Sequence, residues 1–373
     1  MKTGTLDLGD YRLVVCLGPG GVGKTTLSAA LALNAALSGV AVDVMTVDPA
    51  PRLLDALGLE GDAVAPRPIA LAGLRAKPGG RLRAMKLDPK RIFDRLVERH
   101  APSAAARDAI LADRIYRNLS NAMAGVAEYM AMEQLLELHR HDPNNLIVLD
   151  TPPARDALDF LDAPRRMLEL LNSRALTLLG ASRERMRGPF GLFDLAARAV
   201  LAAFDRLTGL HLLTDVQAFV RRFEGMYSGF AERAAAAQTL LRDPATFIVV
   251  VTTPDGDRID QARGFVAELD AMGLRSDAVV VNRVMAPMPD AAEIRRADLP
   301  GALKRKLVCN LEDFGALKRR ETAALDQLRK TLPPASRLIV APDLGYEPRT
   351  LKHLAEIAAS FQPNQNLTAA NGS

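Results

Sequence analysis

Cysteine is scarce in this sequence: Cys16 and Cys309 are the only two, and they lie far apart. A disulfide framework is excluded by that count, and a cysteine-based metal site has too few ligands. Dense runs of lysine and arginine are missing as well. Lys plus Arg exceeds Asp plus Glu by 48 − 44 = 4, and the excess is scattered, which argues against nucleic acid as a partner. No apolar run approaches the ~18 residues of a membrane span, and the opening MKTGTLDLGDYR has no apolar signal core. These absences point to a cytoplasmic protein. What remains is ordinary for a globular chain: 49% hydrophobic and 25% charged over 373 residues, enough for one large α/β domain or two ordinary ones.

Short apolar, β-rich runs recur at 12–17, 40–48, 82–88, 145–150, 246–253, 277–283 and 337–342. Continuous apolar runs, rather than alternating ones, are what strands covered on both faces of a parallel sheet require. Helical patterns separate them, so the pattern predicts a doubly wound α/β fold with a mainly parallel sheet. The runs stop at Asp48, Asp150 and Asn282, at the strand ends where such sheets bind ligands. Two intervals exceed a simple crossover: a helical segment at 89–144, read as helical throughout, and a larger helical insertion at 156–243. Strands resume after each, which assigns both to one domain spanning 1–362. The polar ending at 363–373 reads as a disordered tail.

The stretch GPGGVGKT at 18–25 fits GxxxxGK[ST], directly after a strand and before the helical run TLSAALALNAAL. That context gives the motif its physical meaning as a phosphate-binding loop. Its glycines, Gly20, Gly21 and Gly23, with Val22 between them, let consecutive backbone N–H groups turn inward around an anion at a helix N-terminus. Lys24 would reach the β- and γ-phosphates, the Thr25 hydroxyl would ligate Mg²⁺, and Thr26 would lie near the α-phosphate. Asp48 ends the second apolar run, with Asp55 one short loop later. Asp150 ends the run LIVLD, the form of a carboxylate that holds a magnesium-bound water. The metal candidates are therefore Thr25, Asp48 and Asp150.

The ordered set GPGGVGKTT, VDPAPRLLDALG, LRAMKLDP, LDTPPARDALDFLDAP, VVTTPDGDRIDQARGFVAELDAMGL and VVVNRV resembles the ArsA/Get family of P-loop ATPases, from about residue 12 to 360. The likeness is strongest to its bacterial anion-transporting-ATPase-like branch. It implies a SIMIBI-class sheet flanked by helices, ATP and Mg²⁺ as cofactors, and a dimer with nucleotides at the interface. It also implies that Asp55 positions or activates the attacking water, that Asp150 to Pro153 form the second switch, and that Asn282 reads adenine with Arg283 and Pro342 lining that pocket. An asparagine amide offers the adenine edge one donor and one acceptor.

One departure concerns the loop itself, which in this family usually carries lysine where Pro19 stands. That lysine crosses the dimer interface to the partner's phosphates. Proline has neither the cation nor a backbone donor, and losing such a cation lowers rates by orders of magnitude. Three outcomes stay open: slow turnover, a substitute cation from Arg52 or Arg155, or a heterodimer with a lysine-bearing paralogue. Two distant cysteines do not make an arsenite site, and the zinc-binding CxxC pair of the eukaryotic targeting factor is absent, so no zinc is expected.

The sequence thus supports a dimeric ATPase, a homodimer or a pair with a paralogue, that handles a hydrophobic, membrane-associated or tail-anchored client. The alternatives are a catalytically weak nucleotide-binding scaffold and a MinD/ParA-like positioning ATPase. Within 156–243, apolar stripes at Leu195, Val200, Leu201, Phe204 and Leu207, and at Leu212, Val216, Phe219, Phe223, Met226 and Phe230, have helical spacing. With Phe190, Leu192 and Phe193 they either pack the insertion or form a client groove.

Overall fold

A computed structural model describes residues 6–48, 50, 52–59, 61, 63–117, 126–152, 155–173, 212–286, 288–289 and 291–361. The chain divides into two compact units, the first comprising Met1–Leu87, His141–Leu158 and Arg242–Ser373. Its centre is an eight-stranded sheet in the order β3-β4-β2-β5-β1-β6-β7-β8. The strands are β1 (Leu13–Leu17), β2 (Ala41–Thr46), β3 (Arg67–Pro68), β4 (Arg81–Lys86), β5 (Leu146–Asp150), β6 (Thr246–Thr252), β7 (Ala278–Val284) and β8 (Arg337–Pro342). Every pairing is parallel except β3 with β4. All seven apolar runs predicted as strands are strands. The edge strand β3 had no signal, being two residues long and half proline.

The central strands are mainly apolar because helices cover both faces: β1, β5 and β6 are buried at every position. Helix α1 (Lys24–Leu37) lies over the centre, and its alanines let it approach closely, with ten residues buried. It packs against β2 and against the last helix, α12 (Leu351–Ser360). Helix α2 (Arg52–Ala56) is short and anchored by Leu53 and Leu54. On the other side of β1 come α9 (Gly256–Ala271), α10 (Ala291–Arg296) and the 31-residue α11 (Gly301–Thr331). From β1 the chain builds outward to β2, then returns and extends through β6, β7 and β8. The reversal places the crevice at the carboxyl end of β1, the ligand position of such sheets.

The second unit, Asp88–Arg140 with Asp159–Leu241, is helical where described. The two long intervals expected as additions to one domain are thus gathered in one compact body. Its helices are α3 (Pro89–His100), α4 (Ala104–Leu111), α5 (Val126–His141), most of α6 (Arg155–Leu171), α7 (Leu212–Phe223) and α8 (Tyr227–Arg242). The segment 89–144 is not helical throughout. Ser103 caps α4 through its hydroxyl after Ala101 has turned extended, which stops α3.

Phe93, Tyr116, Phe223 and Phe230 form an aromatic cluster, with ring centroids 5.0 to 6.4 Å apart. Phe223, Met226 and Phe230 of the predicted stripe are therefore core residues, and Phe219 packs on Phe223. Phe190, Leu192, Phe193, Leu195, Val200, Leu201, Phe204 and Leu207, the side chains of Leu212 and Val216, and the predicted tail 363–373 lie outside the described residues.

Candidate functional site

The loop begins where β1 ends. Gly18 has φ 145°, and a Cβ there would lie 2.2 Å from the Val251 carbonyl oxygen of β6, so only glycine lets the chain leave the sheet at this point. Gly23 is the N-cap of α1 in the left-handed conformation, φ 90°, and no side chain caps the first turn. Its backbone N–H groups are left for a bound anion. A Cβ on Gly23 would meet the Asn282 amide nitrogen at 2.4 Å, so this glycine also admits a contact from β7.

Lys24 is buried, and its ammonium donates to the Pro19 carbonyl at 3.3 Å. Burial lowers its pKa; Asp150 and Asp48 oppose the shift, and the nearby Arg52 guanidinium adds to it. Asp150 is fully buried, level with Cys16 in the β1–β5 register. Its carboxylate accepts from Thr25 at 2.9 Å, Thr46 at 3.0 Å and Ser28 at 3.3 Å. Burial pushes its pKa up to about 6, against the pull of these hydroxyls and of Lys24. Thr25 is half-buried at the loop mouth. Its proton goes to Asp150, which leaves the hydroxyl lone pairs facing away.

This geometry fits magnesium held by the Thr25 oxygen together with phosphate oxygens. Among the described residues no cluster of His, Cys, Asp and Glu could hold a metal by itself, the usual situation for an ion that keeps most of its water. Asp48 is half-exposed beside the site, with one carboxylate oxygen accepting from the Ala50 backbone. Thr26 is half-buried one residue further into α1.

Asn282 and Arg283 sit at an irregularity of β7, where the pairing with β8 shifts between Val281 and Val284. Arg283 has φ 59°, the one described non-glycine residue with positive φ. A bulge of this kind re-aims side chains at a strand end. Asn282 donates to the Val22 carbonyl at 2.9 Å, which ties β7 to the loop and leaves its amide oxygen and second N–H uncommitted by that bond. Pro342, exposed at the end of β8, pairs with Val284. An open cavity of about 750 Å³ adjoins the loop, a volume suited to a nucleoside. Gly21, Val22, Asp255, Arg258, Arg283 and Arg320 are among its walls.

The structure thus brings Gly20, Gly21, Val22, Gly23, Lys24, Thr25 and Asp150 together with Asn282 and Arg283. Asp55 and Arg52 are exposed on α2, clear of the cavity walls. Arg155 opens α6, and its side chain, like Pro153, lies outside the described residues. Sequence reasoning missed Thr46 and Ser28, the other two hydroxyls on Asp150. Ser28 was legible as the residue one helical turn beyond Lys24 and Thr25. The α11 residues Arg320 and Glu321 gave no local signal. Neither cysteine offers a reactive thiolate pair: burial pushes the Cys16 thiol up to about 12, and Cys309 stands alone on the surface.

Asp150 also sets a pH dependence. Its folded pKa lies above its unfolded value, so its charge opposes folding above about pH 6, and protonation relieves this as pH falls. In protein free of nucleotide and divalent ions, the Asp150 contribution should favour the fold by up to about 3 kcal/mol more at pH 4 than at pH 7.5. Urea titrations across that range, compared with Asp150→Asn, check it: the wild type should lose stability relative to the variant as pH rises through 6.

A strand, a glycine-capped helix start, a buried lysine, and a threonine hydrogen-bonded to a strand-end aspartate define a P-loop nucleotide-binding protein of the doubly wound α/β class. The family model for anion-transporting ATPases of the ArsA type matches residues 11–299, and the chain belongs to that family. An uncharacterized protein of Streptomyces coelicolor is 30% identical over 74% of this chain, which spans 63% of that protein's length. ATPase GET3 of Malassezia globosa is 24% identical over 84% of this chain and 86% of its own. ATPase GET3A of Arabidopsis thaliana is 25% identical over 75% and 69%.

Proposed function

We propose that this chain is a magnesium-dependent ATPase of the cytoplasm that works as a dimer and couples its nucleotide state to a hydrophobic or membrane-associated client. The observation that carries the nucleotide reading is the hydrogen bond from Thr25 to the buried Asp150 beside Lys24. Lys24 binds and orients the β- and γ-phosphates. Asp150 takes the Thr25 proton and so aims an oxygen lone pair at magnesium, which when bound neutralises phosphate charge. Asn282 holds the loop by Val22 and presents its remaining donor and acceptor to adenine, while Arg283 and Pro342 flank the base. Asp55, anchored through Leu53 and Leu54, orients the attacking water, and Arg155 is the candidate second cation. The client reading is supported by family membership and by the GET3 relatives.

Phosphate release from purified protein tests the catalytic part. Asp55→Asn should spare ATP binding and abolish turnover, since it keeps the size and removes the carboxylate. Pro19→Lys should accelerate release by ten-fold or more if the missing cation limits the rate, on the order-of-magnitude scale of a catalytic cation. Wild-type turnover in Asp55→Asn would remove Asp55 from the mechanism. No turnover in either wild type or Pro19→Lys would favour the scaffold or heterodimer reading.

A further inference from the structure

Helix α11 carries one apolar stripe along its length, and only part of it is covered. Leu303, Leu307, Asn310, Phe314 and Leu317 follow at steps of four, three, four and three residues, the spacing of a single helical face. The same face continues through Glu321, Leu325 and Leu328, where Glu321 and Leu328 are buried. Glu321 accepts from the Met285 backbone N–H at 3.1 Å and Lys318 donates to the Met285 carbonyl, so this end of the helix is clamped beside the cavity. The other end is open. Leu303, Phe314 and Leu317 are 42%, 51% and 47% exposed; among the described residues the only other large hydrophobics so exposed are Leu170 and Tyr346. Three such side chains aligned on one helix face form a patch that calls for a cover.

We infer that a second copy of this chain provides the cover, with the two α11 helices pairing antiparallel about a two-fold axis at Asn310. The sequence is self-complementary about that residue. Leu303 and Leu317 lie seven residues before and after it, so each meets the other across the axis. Leu307, three before, faces the partner's Phe314, four after. On one flank Lys306 comes beside the partner's Asp313, and both are exposed in the single chain. Asn310 meets its own counterpart, and its amide supplies both a donor and an acceptor. A lone polar residue in an apolar seam fixes register, because any slip buries it unpaired. Self-complementarity of this kind is what an isologous interface requires.

This pairing deepens the dimeric reading above, on which it rests, by assigning its contact face. It also links that face to the candidate site. Leu317 and Arg320 are cavity walls, so the seam that buries Leu317 borders the space beside Gly21. Nucleotide occupancy and helix pairing therefore share a wall, and ATP should tighten self-association.

Sedimentation velocity on the full chain, with and without ATP and magnesium, tests the inference. The wild type should be a dimer, and Leu303→Glu with Phe314→Glu should weaken self-association by about 100-fold or more, the effect of placing charges in an interface core. The changes are at positions exposed in the single chain, so the variant's far-ultraviolet circular dichroism spectrum should match the wild type, while its melt should lose the concentration dependence that dimerisation confers. In a Cys309→Ser background, Asn310→Cys should give a disulfide-linked dimer under mild oxidation, whereas Thr322→Cys should not. A dimer that resists the double variant and fails to cross-link at 310 would overturn the α11 seam while leaving a dimer held elsewhere. A monomer under all conditions would overturn both. Flotation of a monomeric wild type with phosphatidylglycerol vesicles, lost in the double variant, would also overturn the inference and assign the stripe to a lipid surface.

Discussion

Lys24→Ala should lower ATP affinity by about 100- to 1000-fold, as expected for losing charge-assisted hydrogen bonds to two phosphates. Calorimetry with ATP and magnesium measures it, and an unchanged affinity would overturn the phosphate-loop reading. The empty protein should tolerate the change. Lys24 is buried with its pKa lowered mainly by desolvation, so its charge is itself held at a cost. Its removal has a second readout, because Lys24 is one of the groups restraining the Asp150 pKa. In the variant the acid-side titration of Asp150 should move to higher pH.

Arg233→Ala should destabilise the helical unit by about 3 to 5 kcal/mol, the penalty for leaving a buried ion without its partner. Arg233 and Glu133 are both buried; the Arg233 Nε lies 2.9 Å from each Glu133 oxygen, and the Tyr129 hydroxyl donates to Glu133 at 2.6 Å. Arg233 also lies over the Phe230 ring, 4.8 Å from its centroid. Burial already raises the Glu133 pKa, and Arg233 is the first influence opposing it. In the variant the carboxyl should bind a proton at still higher pH. Its cost is present while the group is charged and fades as pH falls through that value, so Arg233→Ala should regain stability on acidification. Replacing the pair together, Glu133→Gln with Arg233→Met, should cost much less than Arg233→Ala. Thermal unfolding of the three proteins at two pH values checks this, and equal melting temperatures for Arg233→Ala and wild type would rule it out.

Local signals explain which parts of the molecule were legible in the sequence. Strands such as Thr246–Thr252 are continuous apolar runs because both faces are covered, and turn residues bound each run. The loop announced itself because Gly18 and Gly23 are positions where backbone geometry admits almost nothing else. Asp150 was legible as the polar end of an apolar strand. Its hydroxyl partner Thr46 was not, since a threonine in a strand is unremarkable until the β2–β5 register brings it level. Arg320 and Glu321 are invisible for a related reason: they reach the cavity through the packing of a long helix far away in the chain. The gathering of 89–144 and 156–243 into one body depends on contacts such as Phe93 with Phe230, which leave no mark in either segment alone.

The bond from Lys24 to the Pro19 carbonyl bears on how fast the site can be occupied. A free lysine side chain carries about 2 kcal/mol of rotamer entropy, and here most of that is surrendered when the protein folds. An arriving triphosphate therefore meets an oriented cation and exchanges one carbonyl for its own oxygens, with little rearrangement of the chain. Proline removes a donor from the loop yet keeps the oxygen that parks the lysine. Position 19 can thus lack both a cation and a backbone donor and still leave Lys24 aimed for the capture of a phosphate.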